Sequence, residues 1–242
     1  MAAPCRPAVA GHRAGKLGHN GPAQTAPAWP TKPIKIIVGD SPGGANDILA
    51  RLVGVKLAEA WGQTVQVENR PSTAAIIGTD AVAKAAPDGY TLLMGASGPI
   101  VFNPALYAKL PYSPTKDLAP VVMIGSFPLI LAVQGGLLRG LAVTSARRIA
   151  ALPDVPTMAE QGIDLQITLW RGLLTPAGTP AAVLHKLQAE VARILKLPDV
   201  RERMAQLGIE PEGGPTEGFA RTIASEIPLW TGVARANNIL AE

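Results

Sequence analysis

The sharpest change in the rhythm of apolar and polar positions falls between residues 34 and 61. Ile34, Ile36, Ile37 and Val38 form a short β-branched run that predicts a strand. Residues 39–45 (GDSPGGA) are dense in turn formers. From Asn46 the period changes: Ile48, Leu49, Leu52, Val53, Leu57, Ala60 and Trp61 recur at three-to-four spacing, which predicts an amphipathic helix. Ser41 or Asn46 is placed to cap it, Asp47 lies in the first turn where a carboxylate suits the dipole, and Gly62 ends it. Strand, glycine-rich turn and helix start, in that order, leave backbone N–H groups unpaired at the positive end of a helix. That arrangement suits a carboxylate or phosphate, although glycines at such junctions often only permit the turn.

The chain beyond repeats the alternation. Residues 64–68 predict a second strand, 74–86 a helix of small residues ended by Pro87-Asp88-Gly89, and 90–94 a third strand. The third strand runs into another polar glycine turn, Gly95-Ala96-Ser97-Gly98. Strand, helix, strand, helix, strand is the text of an α/β fold with a parallel sheet. Ligands of such sheets bind beyond the carboxyl ends of the strands, which brings Ser97 and Gly98 beside the first turn. Apolar runs follow at 121–125, 129–133 and 138–144, then a short helix at 157–161 and a strand at 165–174 that contains Trp170. Helices are predicted over 181–196, 200–207 and 216–239, with Pro228 expected to break or kink the last.

Composition removes several classes of function. Of 242 residues, 48% are hydrophobic and 17% charged, a globular balance. The net charge is +4, with Lys and Arg scattered and aromatics at 4%, which argues against nucleic acid as a partner. Cys5 is the only cysteine, and His12, His19 and His185 are far apart, so no metal site is expected. Neither nucleotide-binding glycine motif occurs, and no cofactor is expected. Ser97 fails as a hydrolase nucleophile because Pro99 stands where the elbow needs glycine. No apolar stretch is long enough to span a membrane, so no membrane insertion is expected. Residues 1–29 hold no apolar run of seven, too short a core for a secretory signal, and are expected to form a disordered tail.

Several segments together resemble one family. They are Trp29-Pro30-Thr31-Lys32-Pro33-Ile34, Pro42-Gly43-Gly44-Ala45-Asn46-Asp47, Val67-Glu68-Asn69-Arg70-Pro71 and Pro87-Asp88-Gly89-Tyr90-Thr91-Leu92-Leu93. Leu141-Ala142-Val143-Thr144-Ser145, Leu152-Pro153-Asp154-Val155-Pro156-Thr157 and Pro176-Ala177-Gly178-Thr179-Pro180 continue the series. In this order they resemble the Bug/TctC proteins, extracytoplasmic substrate-binding components of tripartite tricarboxylate transporters. The resemblance implies a type II periplasmic-binding-protein-like fold, no enzymatic activity, a small carboxylate as ligand, a membrane permease as partner and a periplasmic location. It implies a first lobe from residues 30–126 and 165–242, with 127–164 as the hinge and remnant of a second. It also implies a ligand site at Ser41, Pro42, Gly43, Gly44, Ala45, Asn46 and Asp47, joined by Ser72, Thr73, Ser97, Gly98 and Trp170.

Three departures from the family pattern accompany it. At Val133 to Gly136 most of the second lobe is missing, on the order of a hundred residues, a domain's worth. Asp40 stands where the family has an apolar or aromatic residue. At about 6 Å from a bound anion it would repel by roughly 0.7 kcal/mol in water and about 3 kcal/mol at an effective dielectric near 20. Residues 71–76 (PSTAAI) replace a glycine-rich turn, restricting the positive-φ geometries open to that loop. The expected function is therefore solute binding in a reduced cleft. The alternative is a non-binding remnant or interaction protein with only the first lobe folded; an enzyme using the glycine turns for phosphate has the least support.

Overall fold

The computed structural model describes residues 29–135, 137–149 and 151–241. The expected tail lies outside these residues except for Trp29. That side chain packs on Trp61 and Tyr90, with ring centroids 5.2 and 5.8 Å apart.

The opening segment folds as the periodicity predicts. Strand β1 (Ile34–Val38) leads through the glycine turn into helix α1 (Ala45–Trp61), followed by β2 (Val65–Asn69). Gly62 closes α1 in the left-handed conformation and donates its N–H to Ala58 O. The cap at the other end differs from expectation: Gly44 occupies the N-cap position, and neither Ser41 nor Asn46 bonds the first turn. Asp47 does this work from inside the helix, its carboxylate accepting from Gly43 N.

Helix α2 (Ile76–Ala83) is shorter than the 74–86 expected, because Ala74 and Ala75 sit at positive φ and form a separate turn ahead of it. Strand β3 (Thr91–Ala96) follows, then a π-helical turn Gly98–Phe102 and the short helix α3 (Asn103–Leu106). The apolar run at 121–125 is the middle of a long strand, β4 (Leu118–Pro128). The runs at 129–133 and 138–144 make an antiparallel hairpin, β5 (Ile130–Gly135) and β6 (Leu137–Val143). The expected helix at 157–161 is a single 3₁₀ turn, Ala159–Gln161. Strand β7 (Thr168–Pro176), helices α4 (Ala181–Ile194) and α5 (Pro198–Gln206), the short strand β8 (Glu210–Pro211) and helix α6 (Thr216–Ala236) complete the chain. Helix α6 runs unbroken through Pro228. Pro228 is exposed, as is Ala224 one turn earlier, so the carbonyl that loses its N–H partner faces water.

Six strands form one sheet in the order β2-β1-β3-β7-β4-β8. Strands β2, β1 and β3 are parallel, as expected, and β7 joins β3 antiparallel. Alternation along the strands splits the core between the two faces. Ile36, Val38, Leu92, Met94 and Leu173 pack with α1, α4 and α5, whereas Ile37, Leu93, Trp170 and Leu174 pack with α2 and α6. Burial on both faces explains why these strands read as continuous apolar runs. The hairpin β5-β6 forms a separate two-stranded sheet. It is tied to the main sheet through Thr144, whose hydroxyl accepts from Leu129 N at 2.8 Å and donates to Ile167 O at 2.5 Å. Backbone bonds from Thr144 N to Leu129 O and from Ile167 N to Thr144 O complete the junction.

Candidate ligand-binding site

Strands β1 and β3 end side by side, and the turns that follow them meet the start of β7 around a cavity of about 380 Å³. Its walls include Asp40 and Asn46 from the first turn, Ser72, Ala74 and Ala75 from the loop before α2, Ser97 and Gly98 after β3, and Arg171 from β7. The volume falls at the small end of the range for ligand cavities. A larger hollow of about 690 Å³ lies beside the hairpin, but it is away from the converging turns. Convergent polar groups, rather than size, single out the first cavity.

The first turn is held by a polar network. Asp47 is buried; it accepts from Gly43 N at 2.9 Å and from Arg51 Nε at 3.0 Å. Arg51 Nη2 also reaches Asn69 Oδ1 at 3.1 Å, and Asn69 Nδ2 donates to Asp40 O. The Arg51 guanidinium, with the Gly43 amide, holds the Asp47 carboxyl below the usual carboxylate range despite the opposing effect of burial. Gly44 N makes only a 3.4 Å turn bond to Ser41 O. Among the described residues no acceptor meets the amides of Ala45, Asn46 or Asp47, the free donors expected at a helix start. Asp40 does not engage them; its carboxylate accepts from Asn46 Nδ2.

The second wall is the loop before α2. Ser72 Oγ accepts from Ile77 N, and Asn103 Nδ2 donates to Ala74 O at 3.0 Å. Asn103 also donates to Tyr112 OH, which itself donates to Pro99 O at 2.8 Å. One buried asparagine and one buried tyrosine thus clamp two of the loops lining the cavity. Backbones approach closely behind it: a Cβ on Gly39 would fall 2.5 Å from Ala75 Cβ, and one on Gly78 would fall 2.8 Å from Gly39 Cα.

Of the residues expected at the site, Asn46, Ser72, Ser97 and Gly98 line the cavity. Ser41, Pro42, Gly43, Gly44, Ala45 and Thr73 are exposed and do not line it, and Asp47 is buried and supports the turn through Gly43 N. Trp170 lies elsewhere. It is buried on the opposite face of the sheet, edge-on to Phe219, with its Nε1 donating to Glu226 at 2.8 Å. Burial raises the Glu226 carboxyl above the usual range against the pull of that bond. The neighbour of Trp170 on β7, Arg171, is the residue that enters the cavity. It was missed because alternation along a strand separates two faces without saying which one meets a ligand. Its guanidinium lies over the Phe127 ring, 4.7 Å from the centroid, and bonds Trp170 O at 3.2 Å. Burial pulls its pKa down, opposed by the charge of Asp40.

The family model described as the tripartite tricarboxylate transporter family receptor, TctC, matches residues 49–135 and 123–239. The chain belongs to this family. A protein encoded in the tcbD-tcbE intergenic region of a Pseudomonas species is 30% identical over 293 residues, covering 86% of this chain and 87% of the relative. Protein BugT of Bordetella pertussis is 27% identical over 296 residues, covering 87% and 91%. Among solved structures, an R. palustris protein determined with adipate aligns at TM-score 0.80 and 25% identity, covering 88% of this chain and 99% of that one. MatC from Rhodopseudomonas palustris with bound malate aligns at TM-score 0.76 and 25% identity, covering 85% and 99%. The fold is that of the periplasmic binding proteins of the TctC/Bug family, to which a structure of BugD also aligns at TM-score 0.79. The TctC family is a family of receptors. The 293-residue match exceeds the 242 residues of this chain, so the Pseudomonas relative carries residues that have no counterpart here.

Proposed function

We propose that this chain is a periplasmic solute receptor that captures a small carboxylate in the Asp40–Arg171 cavity and presents it to a membrane permease. The observation that carries the reading is the meeting of Asn46 from the start of α1, the half-buried Arg171 and the Ser97-Gly98 turn at the carboxyl ends of β1 and β3. Adipate and malate in family-like structures support a carboxylate as the ligand class. The membrane itself is left to the permease, since among the described residues no helix is long and apolar enough to cross it.

The cleft has one complete wall. In this reading residues 30–126 and 165–242 form the first lobe, and 127–164 are the hinge and what remains of the second. The family match in two segments and the relative's unmatched residues support that division. Receptors of this design gain affinity by closing two lobes over the solute. A one-walled site leaves much of the ligand in water, so dissociation constants near the millimolar range are expected. Calorimetry against di- and tricarboxylates tests the reading. Saturable heats with at least one of them support it, and silence across the panel at several millimolar overturns it. Silence would favour a non-binding remnant, for which the exposed Ile130, Leu131 and Val133 of the hairpin already speak.

A further inference from the structure

Among the described residues, every large hydrophobic side chain left exposed, apart from Val55 and Ile77, falls in 129–165 or 229–240. The two stretches meet. Leu129, Ile167 and Leu169 from beside β4 and β7, with Trp230, Val233 and Ile239 from α6 and the residues after it, line an apolar groove of about 380 Å³ that has no charged residue in its walls. Leu129 leads directly into β5, where Ile130 and Leu131 are 47% and 48% exposed. Side chains alternate along a strand, so equal exposure of two neighbours means that neither face of β5 is covered. Leu131 in turn joins Leu141 and Ile163 in the walls of the hollow beside the hairpin. Half-exposed side chains of this size leave tens of Å² each, so the two stretches together offer on the order of the ~800 Å² per partner that a stable dimer buries. Single apolar residues on a surface are ordinary, whereas a connected area of this size marks an interface.

The edge of β5 decides what covers this face. Strand β5 pairs only with β6, and among the described residues nothing hydrogen-bonds its outer edge. Residues 129–138 (LILAVQGGLL) hold no charge and no proline, the devices that keep free edges from pairing. A free strand edge is complemented by the same edge run in the opposite direction, which is what a twofold axis supplies. We infer that two copies of this chain associate through this face. Strand β5 of each copy pairs antiparallel with β5 of the other, joining the two hairpins into one four-stranded sheet. The exposed side chains of the hairpin and the lip of the groove are covered in the same contact. A second copy fits better than a charged partner because the uncharged edge and the uncharged groove answer surfaces that this chain already carries. The association is independent of carboxylate binding.

Sedimentation velocity on the full chain, from low micromolar to several hundred micromolar, tests this. The mass is expected to move reversibly from one chain to two. Leu131→Lys, which puts a charge on β5, and Val233→Glu, which puts one in the groove, are each expected to raise the dimer dissociation constant tenfold or more. Val55→Lys, on an exposed α1 residue outside the face, is expected to leave it unchanged. Circular dichroism melts identify any variant that fails to fold, and hydrogen–deuterium exchange locates the contact without variants. Exchange over 130–135, fast in the dilute monomer, is expected to slow at least tenfold as the dimer fills. A monomer at every concentration, a mass that climbs past two chains, or a dimer indifferent to both substitutions and protected elsewhere overturns the proposal. Calorimetric silence toward carboxylates leaves the dimer standing, and a monomer that binds one removes the dimer alone.

Discussion

Ala74 and Ala75 hold φ values of 53° and 57°, a conformation that costs an L-residue roughly 1–2 kcal/mol relative to right-handed helix. The segment holds a backbone shape that glycine favours without a glycine, so the strain sits in the cavity wall. Ala74→Gly is therefore expected to raise the melting temperature, by up to about 1 kcal/mol of stability. Gly78→Ala is expected to do the reverse, by about 1–3 kcal/mol, because its methyl would strike Gly39 Cα. Asp47 adds a pH signature. Its folded pKa is lowered, so its stabilisation is complete above the unfolded carboxylate value and disappears as pH falls through the lowered folded one. Glu226 has the opposite sign: its folded pKa is raised, so it favours the fold in acid and weakens it as pH rises through that value. Thermal melts from neutral to acidic pH should show wild type losing stability more steeply than Asp47→Asn. The sequence disclosed Asp47 as a first-turn carboxylate because that role is local. It did not disclose Arg171 or Asn103, whose roles depend on contacts between segments far apart in the chain.

Secondary-structure elements divide into those held on two faces and one that is not. Strands β1, β3 and β7 have helices on both sides, whereas the β5-β6 hairpin lies outside the main sheet, bridged at Val143 to Thr157, and leaves Ile130, Leu131 and Val133 about half exposed. An isolated two-stranded sheet has marginal stability. Hydrogen–deuterium exchange is therefore expected to be fast over residues 130–143 and slow over 34–38 and 91–96. Thr144→Val, which keeps the shape but removes the hydroxyl from Leu129 N and Ile167 O, should extend fast exchange into the ends of β4 and β7. The parallel core was legible from the chain because β-branched runs and glycine turns alternate in one order. The length of β4 was not, since β-propensity does not separate one long strand from two short ones. Pro228 misled for a related reason: proline's penalty depends on which face of the helix it occupies, and at the solvent face water takes the freed carbonyl.

At the scale of the whole molecule, the six-stranded sheet and its helices carry both the core and the cavity, and the match to the Pseudomonas relative runs longer than the chain. If the second wall is as reduced as proposed, small-angle scattering should give the same radius of gyration with and without saturating ligand. A contraction on binding would mean that residues 127–164 still act as a closing lobe. The order of family segments made the fold readable from sequence, but which groups share the cavity emerged only from the sheet, which sets β7 against β3. That placement has an optical consequence. Trp230 stacks edge-on, at 4.9 Å, against the cavity residue Phe102. One indole, that of Trp230, therefore stands one side chain behind the wall, while Trp29 and Trp61 belong to a separate aromatic cluster with Tyr90. Occupancy should be visible as a change in ultraviolet emission from the unlabelled protein, so this receptor carries its own gauge of whether it is empty or full.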